Sequence, residues 1–183
     1  MTSGPTIVNI VAAGSFGQTL DLAALTTAID AEEVSYGADD YNPAVIYVRR
    51  RATAPHLAVY KTGRYHLTGA STPLHARAAV NWFSGELNRI GVAGIEPSFA
   101  IANVMAQGKV GTNLDLYRLW THWGSEYVDY DPECHPALMY YPERLPADFR
   151  LLSSGTVQLY VDSPAVVGDA FEWIHDNLLE IID

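Results

Sequence analysis

Ile7-Val8-Asn9-Ile10-Val11-Ala12 and Ile101-Ala102-Asn103-Val104-Met105-Ala106 are one word written twice, at an offset of 94 residues (9 to 103). Leu20-Asp21-Leu22 returns as Leu114-Asp115-Leu116, and Val34-Ser35-Tyr36 as Val128-Asp129-Tyr130, both at the same offset. Pro43-Ala44-Val45-Ile46-Tyr47 aligns with Pro136-Ala137-Leu138-Met139-Tyr140 at 93. The turn glycines Gly63 and Gly155 align at 92, and Pro73 with Pro164 and Trp82 with Trp173 at 91. An offset that falls by single residues while the elements keep their order is what duplication followed by small loop changes leaves. The chain therefore divides into residues 1–93 and 94–183, with Gly91 to Pro97 as the hinge.

Each repeat carries the same plan. In the first, residues 6–13 alternate as a strand, and residues 21–30 have helical apolar spacing behind a cap at Thr19 or Asp21. Short β-rich runs follow near 33–37, 43–50 and 56–61, and Thr62-Gly63 turns the chain into a further run at 64–69, the hairpin pattern. Thr72-Pro73 opens a longer helix to about Ile90, with proline at the first helical position, where its missing N–H is harmless. In the second repeat the equivalents are 100–107, 113–122, 126–130, 137–142, 148–153, 156–162 and 164–181, and Ala70-Ser71 and Asp162-Ser163 precede the two long helices as caps. A half of this size has a sheet with one face under two helices and an edge left bare. Two halves joined edge to edge would make one curved antiparallel sheet of about ten strands, with four helices on its convex side. The uncovered concave face is the expected binding surface.

Composition narrows the function. The chain has 183 residues, 49% apolar and 11% aromatic, which is a folded composition rather than a disordered one. Its formal charge is −10, from 21 acidic and 11 basic residues, and Lys61 and Lys109 are the only lysines. Such a chain is a poor general polyanion binder, so contact with DNA requires a locally neutral or basic face or high salt. An acidic, lysine-poor composition also suits a salt-loving cell. The single cysteine, Cys134, excludes an internal disulfide and points to a reducing cytoplasm. No apolar run approaches the roughly 20 residues of a membrane-spanning helix, and Met1 to Pro5 has no signal-peptide character.

Chemistry-bearing motifs are scarce. Glu32-Glu33 and Asp39-Asp40 sit in loops or at helix ends, with no apolar setting that would raise a carboxyl pKa for acid–base work. Gly14-Ser15-Phe16-Gly17 lacks the lysine of a phosphate-binding loop. Cys134-His135 has no four-ligand spacing around it, so no metal and no cofactor is expected. His56, His75, His122 and His175 read as solvated or capping residues, Trp82 and Trp173 as core anchors, and Arg49-Arg50-Arg51 as a strand end able to meet phosphates. No nucleophile stands near a base in any motif, so an enzyme is not expected.

The repeated plan and its words resemble the TATA-box-binding protein family over residues 6–182. The words are the Asn9 and Asn103 strands, Tyr130-Asp131-Pro132-Glu133-Cys134-His135-Pro136, Thr62-Gly63-Arg64 and Thr68-Gly69-Ala70. The resemblance implies an α+β saddle of two pseudo-symmetric repeats that binds the minor groove of AT-rich promoter DNA and kinks it with apolar wedges. It implies that Asn9 and Asn103 are central amides reaching base acceptors, and that Val11 and Met105 pack on base edges from the same strand face. Thr68 would contact DNA from the hairpin, Arg64 keeps the hairpin charge, and His66, Gln158 and Tyr160 lie on the equivalent strands. The wedge positions are Tyr41 or Asn42 and Tyr60 in the first repeat, and His135 and Leu152 in the second; none is the family's phenylalanine. An arginine expected after the Tyr47/Tyr140 strand is Val48 in one half and Tyr141 in the other. The acidic loop at Asp131 and Glu133 is the surface that the family offers to transcription factor B. The resemblance thus implies two partners, promoter DNA and transcription factor B, with self-association left open. The alternative is a divergent paralogue that no longer bends TATA DNA and serves as a protein-interaction module or transcription regulator.

Overall fold

The computed structural model describes residues 3–36 and 44–182. Asp39, Asp40 and both first-repeat wedge candidates, Tyr41 and Asn42, lie outside the described residues. The chain forms two compact units. One takes Asn9–Ala102; the other takes everything from Asn103 on, together with the N-terminal residues through Val8.

The first repeat supplies β1 (Ser3–Ser15), α1 (Leu22–Ala28), β2 (Glu33–Tyr36), β3 (Val45–Arg49), β4 (His56–Tyr60), β5 (Arg64–Ala70) and α2 (Pro73–Arg89). The second supplies β6 (Ala100–Lys109), α3 (Leu116–Trp123), β7 (Val128–Asp129), β8 (Ala137–Tyr140), β9 (Asp148–Leu152), β10 (Thr156–Val161), a 3-10 turn at Pro164–Val166, and α4 (Val167–Ile182). Strands run in the order β2-β3-β4-β5-β1 in the first repeat and β6-β10-β9-β8-β7 in the second, with antiparallel neighbours throughout. The expected ten strands and four helices are thus present among the described residues.

Helix starts follow side-chain caps. Asp21, not Thr19, accepts from the Ala24 N–H at 3.2 Å, and Asp115 accepts from the Arg118 N–H at 3.0 Å. Asp115 therefore delays α3 to Leu116, where the spacing alone puts its start at 113. Thr72, rather than Ala70-Ser71, caps α2 by accepting from the His75 N–H at 3.0 Å. Ser163 caps as expected, but its bond from the Ala165 N–H opens a 3-10 turn before α4 begins. The run expected at 126–130 contracts to the two residues of β7.

Alternation fixes which side of each strand is dry. Ile46, Val48, Leu57, Val59, Tyr65 and Leu67 are buried, as are Ala76, Val80, Phe83 and Leu87 of α2. Phe16 binds this core together, with ring centroids 4.9 Å from Tyr65 and 5.1 Å from Phe83. The Tyr65 hydroxyl donates to the Ser98 carbonyl at 2.7 Å, and burial pushes the phenol up to about 12 against the pull of Arg77. In the second repeat the core is more aromatic. Trp123 stacks on Tyr140 at 4.0 Å, and Trp173 lies 6.3 Å from Tyr140 and 6.1 Å from Phe149. Trp82 does not share the role of Trp173. Both are half-buried, beside the buried Phe83 and Ile174, but Trp82 meets Phe83 edge to face at 6.1 Å and has the Arg50 guanidinium 5.8 Å from its ring centroid, whereas Trp173 joins the aromatic stack.

Strand register corrects one alignment. Val45 pairs with Tyr60 and Tyr47 with Ala58, while Ala137 pairs with Leu152 and Met139 with Arg150. Tyr47 thus matches Met139, and Val48 matches Tyr140, at an offset of 92 rather than 93. Tyr47 is exposed, whereas Val48 and Tyr140 are buried. The equivalents on the open side after these strands are Arg49 and Tyr141, so the buried Val48 is not a vacated phosphate position.

The turns before β5 and β10 need glycine. Gly63 and Gly155 have φ of +79° and +78°, and a Cβ on either would strike the carbonyl oxygen of Gln18 or Thr112. Gly85, inside α2, faces open space. Gly155→Ala is expected to destabilise the protein by about 2 kcal/mol or more, while Gly85→Ala stabilises it by about 0.5–1 kcal/mol. Urea unfolding of the two variants measures both, and opposite signs are the expected result.

Candidate nucleic-acid interface

The buried side chains leave one face of each repeat uncovered. In the first it carries Asn9, Val11 and Ala13 of β1, Arg64, His66 and Thr68 of β5, and Ala58 and Tyr60 of β4, all half-buried or exposed. In the second it carries Asn103, Met105 and Gln107 of β6, Gln158 and Tyr160 of β10, and Arg150 and Leu152 of β9. The predicted strand residues therefore gather on the open face of their own repeat. Tyr60 and Leu152 hold matching places, Tyr60 opposite Val45 and Leu152 opposite Ala137. His135 stands two residues before Ala137 and lines a hollow of about 240 Å³ with Asp129, Asp131, Ala137, Met139 and Arg150. The fourth wedge position, at Tyr41 or Asn42, is outside the described residues.

The two asparagines differ in setting. β1 slips register against β5: Ile10 pairs with Ala70 but Ala12 with Leu67. The slip falls at Gly69, whose φ is +91°. A bulge of this kind removes an N–H from the ladder, and Asn9 Oδ1 accepts that Gly69 N–H at 2.7 Å and the Thr68 hydroxyl at 3.4 Å. The Asn9 carboxamide is thereby turned, with Nδ2 left as a donor. In the second repeat Val161 replaces the glycine and Tyr160 the threonine. The β6–β10 register runs unbroken from Thr156–Lys109 to Val161–Val104, and the Asn103 side chain has no hydrogen-bond partner among the described residues.

Charge on the open faces is sparse and partly committed. Arg49 Nη1 lies 3.3 Å from Glu33, and the same nitrogen donates to the Ala52 carbonyl at 3.4 Å. Arg50 covers Trp82, so the three consecutive arginines do not form one basic patch. Tyr60 meets His66 edge to face at 5.9 Å. Sequence patterning passed over Gln107 and Arg150. The offsets of 94 and 92 make them the counterparts of Ala13 and Ala58, and a large polar residue replacing alanine on an open face is the signal that could have found them.

The acidic loop is ordered by its own backbone. Asp131 Oδ1 accepts from the Glu133 N–H at 3.0 Å, and the Asp131 carbonyl accepts from the N–H of Cys134 at 3.2 Å and of His135 at 2.8 Å. The Cys134 thiol and then the Glu133 N–H, both donating to Asp131, hold its carboxyl below the usual range, and the same contact raises the thiol. Asp131, Glu133, Cys134 and His135 are all exposed. Cys134 and His135 belong to this turn and not to a strand. No group of three or more metal-binding side chains occurs among the described residues, and no helix among them is long and apolar enough to cross a membrane.

Comparison with known proteins agrees with this geometry. The family model described as transcription factor TFIID, or TATA-binding protein, matches residues 4–90 and again 98–181. TATA-box-binding protein C of Halobacterium salinarum is 26% identical over 96% of this chain and 98% of its own. TATA-box-binding protein 2 of Methanosarcina acetivorans is 31% identical over 74% of this chain and 72% of its own. The solved structure of Methanococcus jannaschii TBP superposes with a TM-score of 0.82 at 24% identity, covering 97% of this chain and 99% of that one. With both repeats matched, the same α+β fold and archaeal relatives along its whole length, the chain belongs to the TATA-binding protein family of transcription initiation factors, in its archaeal form.

Proposed function

We propose that this chain binds AT-rich promoter DNA in the minor groove through the open faces of its two repeats, and recruits transcription factor B through the loop of Asp131 and Glu133. The observation that carries the reading is Asn9. Its Oδ1 is held by the Gly69 N–H, so its amide nitrogen is the group offered outward. A donor is what the minor-groove acceptors of adenine and thymine require. Asn103 supplies the second amide, Val11, Met105 and Thr68 the contacts to base edges, and Tyr160 and Gln158 the flank on β10. Tyr60, Leu152 and His135 act as wedges, with Tyr41 or Asn42 as the fourth; unstacking by such side chains is how minor-groove binders bend a duplex. Arg64 contacts phosphate, and His66 lies beside Tyr60.

A second reading, an interaction module that does not bend DNA, draws on one observation. Asp129 and Asp131 share the hollow beside Arg150, which puts negative charge where phosphates would approach. The two readings part on direct binding. Fluorescence anisotropy with a labelled AT-rich duplex, across a salt series and with or without transcription factor B, is expected to show saturable binding that the partner strengthens. With Arg64, Arg150 and the exposed Lys109, two residues beyond Gln107 on β6, as the open-face cations that make no ion pair among the described residues, the slope of log K against log salt should be about −3. Absence of binding at every salt, partner included, would leave the interaction module standing.

The asparagines should separate in a stability measurement. Asn9→Ala strips the Gly69 N–H of its acceptor and is expected to cost about 0.5–1 kcal/mol in urea unfolding, whereas Asn103→Ala costs next to nothing. Each should weaken duplex binding by about tenfold. Equal stability losses would contradict the bulge-locked Asn9.

A further inference from the structure

Three open-face side chains of the second repeat form a hydrogen-bonded chain across three strands. Arg150 Nη1 donates to Gln158 Oε1 at 3.4 Å, and Gln158 Nε2 donates to Gln107 Oε1 at 3.0 Å. The residues are directly opposite one another in the ladder, Arg150 to Gln158 and Gln158 to Gln107. At the matching places of the first repeat, Ala58 faces His66 and His66 faces Ala13, and no such chain can form.

The direction of the chain is fixed by arginine. A carboxamide can turn either end toward a neighbour, but a guanidinium only donates. Gln158 must therefore show its oxygen to Arg150, which aims its nitrogen at Gln107, which must answer with its own oxygen. What remains of Gln107, an exposed residue, is an NH₂ group without a partner among the described residues. Arg150 makes no ion pair among the described residues, so this is the chain's one fixed end.

We infer that Arg150 is a positioning residue that works through Gln158 to lock Gln107 as a pure donor, making the second repeat reject guanine at one step of the bound DNA. This rests on the minor-groove reading proposed above. In that groove adenine and thymine present only acceptors, whereas a G·C pair adds the guanine 2-amino donor. A locked NH₂ accepts the first pattern and meets the second donor to donor. A glutamine able to flip would offer its oxygen to the guanine amino group and tolerate both. The first repeat, with Ala13 and Ala58 in these places, has no such filter at the matching step; its own locked donor, Asn9, is held by the backbone and does not depend on Arg150.

The test uses the full chain and an AT-rich parent duplex in which each A·T pair is replaced in turn by G·C and by I·C, since inosine lacks the 2-amino group. The wild-type protein should show a step in the half bound by the second repeat where G·C weakens binding about tenfold or more and I·C restores it. Arg150→Met also removes an open-face cation and so weakens binding to every duplex alike. Read as the ratio to the same variant's parent-duplex affinity, its penalty should shrink to about twofold, and Arg150→Lys, which also only donates, should keep it. Penalties in the first half should not change in either variant. An unchanged penalty in Arg150→Met, or an I·C pair as poor as G·C, overturns the inference and leaves DNA binding intact. Failure of the wild-type protein to bind the parent duplex overturns the inference and the minor-groove reading together.

Discussion

Water is excluded from one face of each strand array, and everything else in the molecule is arranged around that. Strand side chains alternate, so burying Leu57, Val59, Tyr65 and Leu67 with Phe83 and Leu87 commits Ala58, Tyr60, His66 and Thr68 to the other side. A slip of one residue would reverse the assignment and drive polar groups into the core. At roughly 25 cal/mol per Å² of apolar surface, burial of whole aromatic and aliphatic side chains fixes the register far more firmly than any contact on the open face could. The face available for binding is therefore a consequence of the core. Its residues vary without endangering the fold, which is how the two repeats keep one architecture and carry different side chains.

The differences are local and have identifiable causes. Gly69 permits a bulge in the first repeat, and the bulge releases the N–H that orients Asn9. Val161 stands at the matching place, has no access to that backbone conformation, and continues the ladder. Asn103 is left to whatever it meets outside the chain. Gln107, Gln158 and Arg150 form a polar relay where the first repeat has alanine and histidine. The repeats are equivalent as scaffolds and unequal as surfaces.

How legible was this in the sequence? The duplication was, because the offsets are large, ordered and repeated, and so were the ten strands, whose alternation survives at Leu57–Tyr60 and Tyr65–Thr68. The boundaries that moved did so where a single side chain decides them. Asp115 sets the start of α3 and Thr72 that of α2, and propensity alone does not choose between neighbouring candidate caps. The Tyr47–Tyr140 alignment misled because two tyrosines coincide in letter while the ladder places one outside and one within the core. Among site residues, those carried by the family words fell on the open face. Gln107 and Arg150 were missed because they match no word, and only register brings them together across three strands. Arg49 was legible as a charge but not as the partner of Glu33, since a cross-strand pair depends on which strands are neighbours.

An acidic protein that meets DNA must draw its affinity from something other than counterion release. With a formal charge of −10 and only two lysines, this chain has few cations to place against phosphates. On the proposed reading, the open faces compensate with apolar and amide contacts, which act by desolvation and shape and are little weakened by salt. Because so few cations meet phosphates, added salt weakens binding far less steeply than it does for a basic DNA-binding protein, and the surface stays competent in a salt-rich cell. That places the burden of selectivity on the few oriented polar groups. An amide held by its own backbone, as Asn9 is, or by a fixed charge, as Gln107 is through Gln158 and Arg150, reads a base edge without the ambiguity of a carboxamide that can flip. Where cations are scarce, orienting the remaining donors is the route by which such a surface tells one duplex from another.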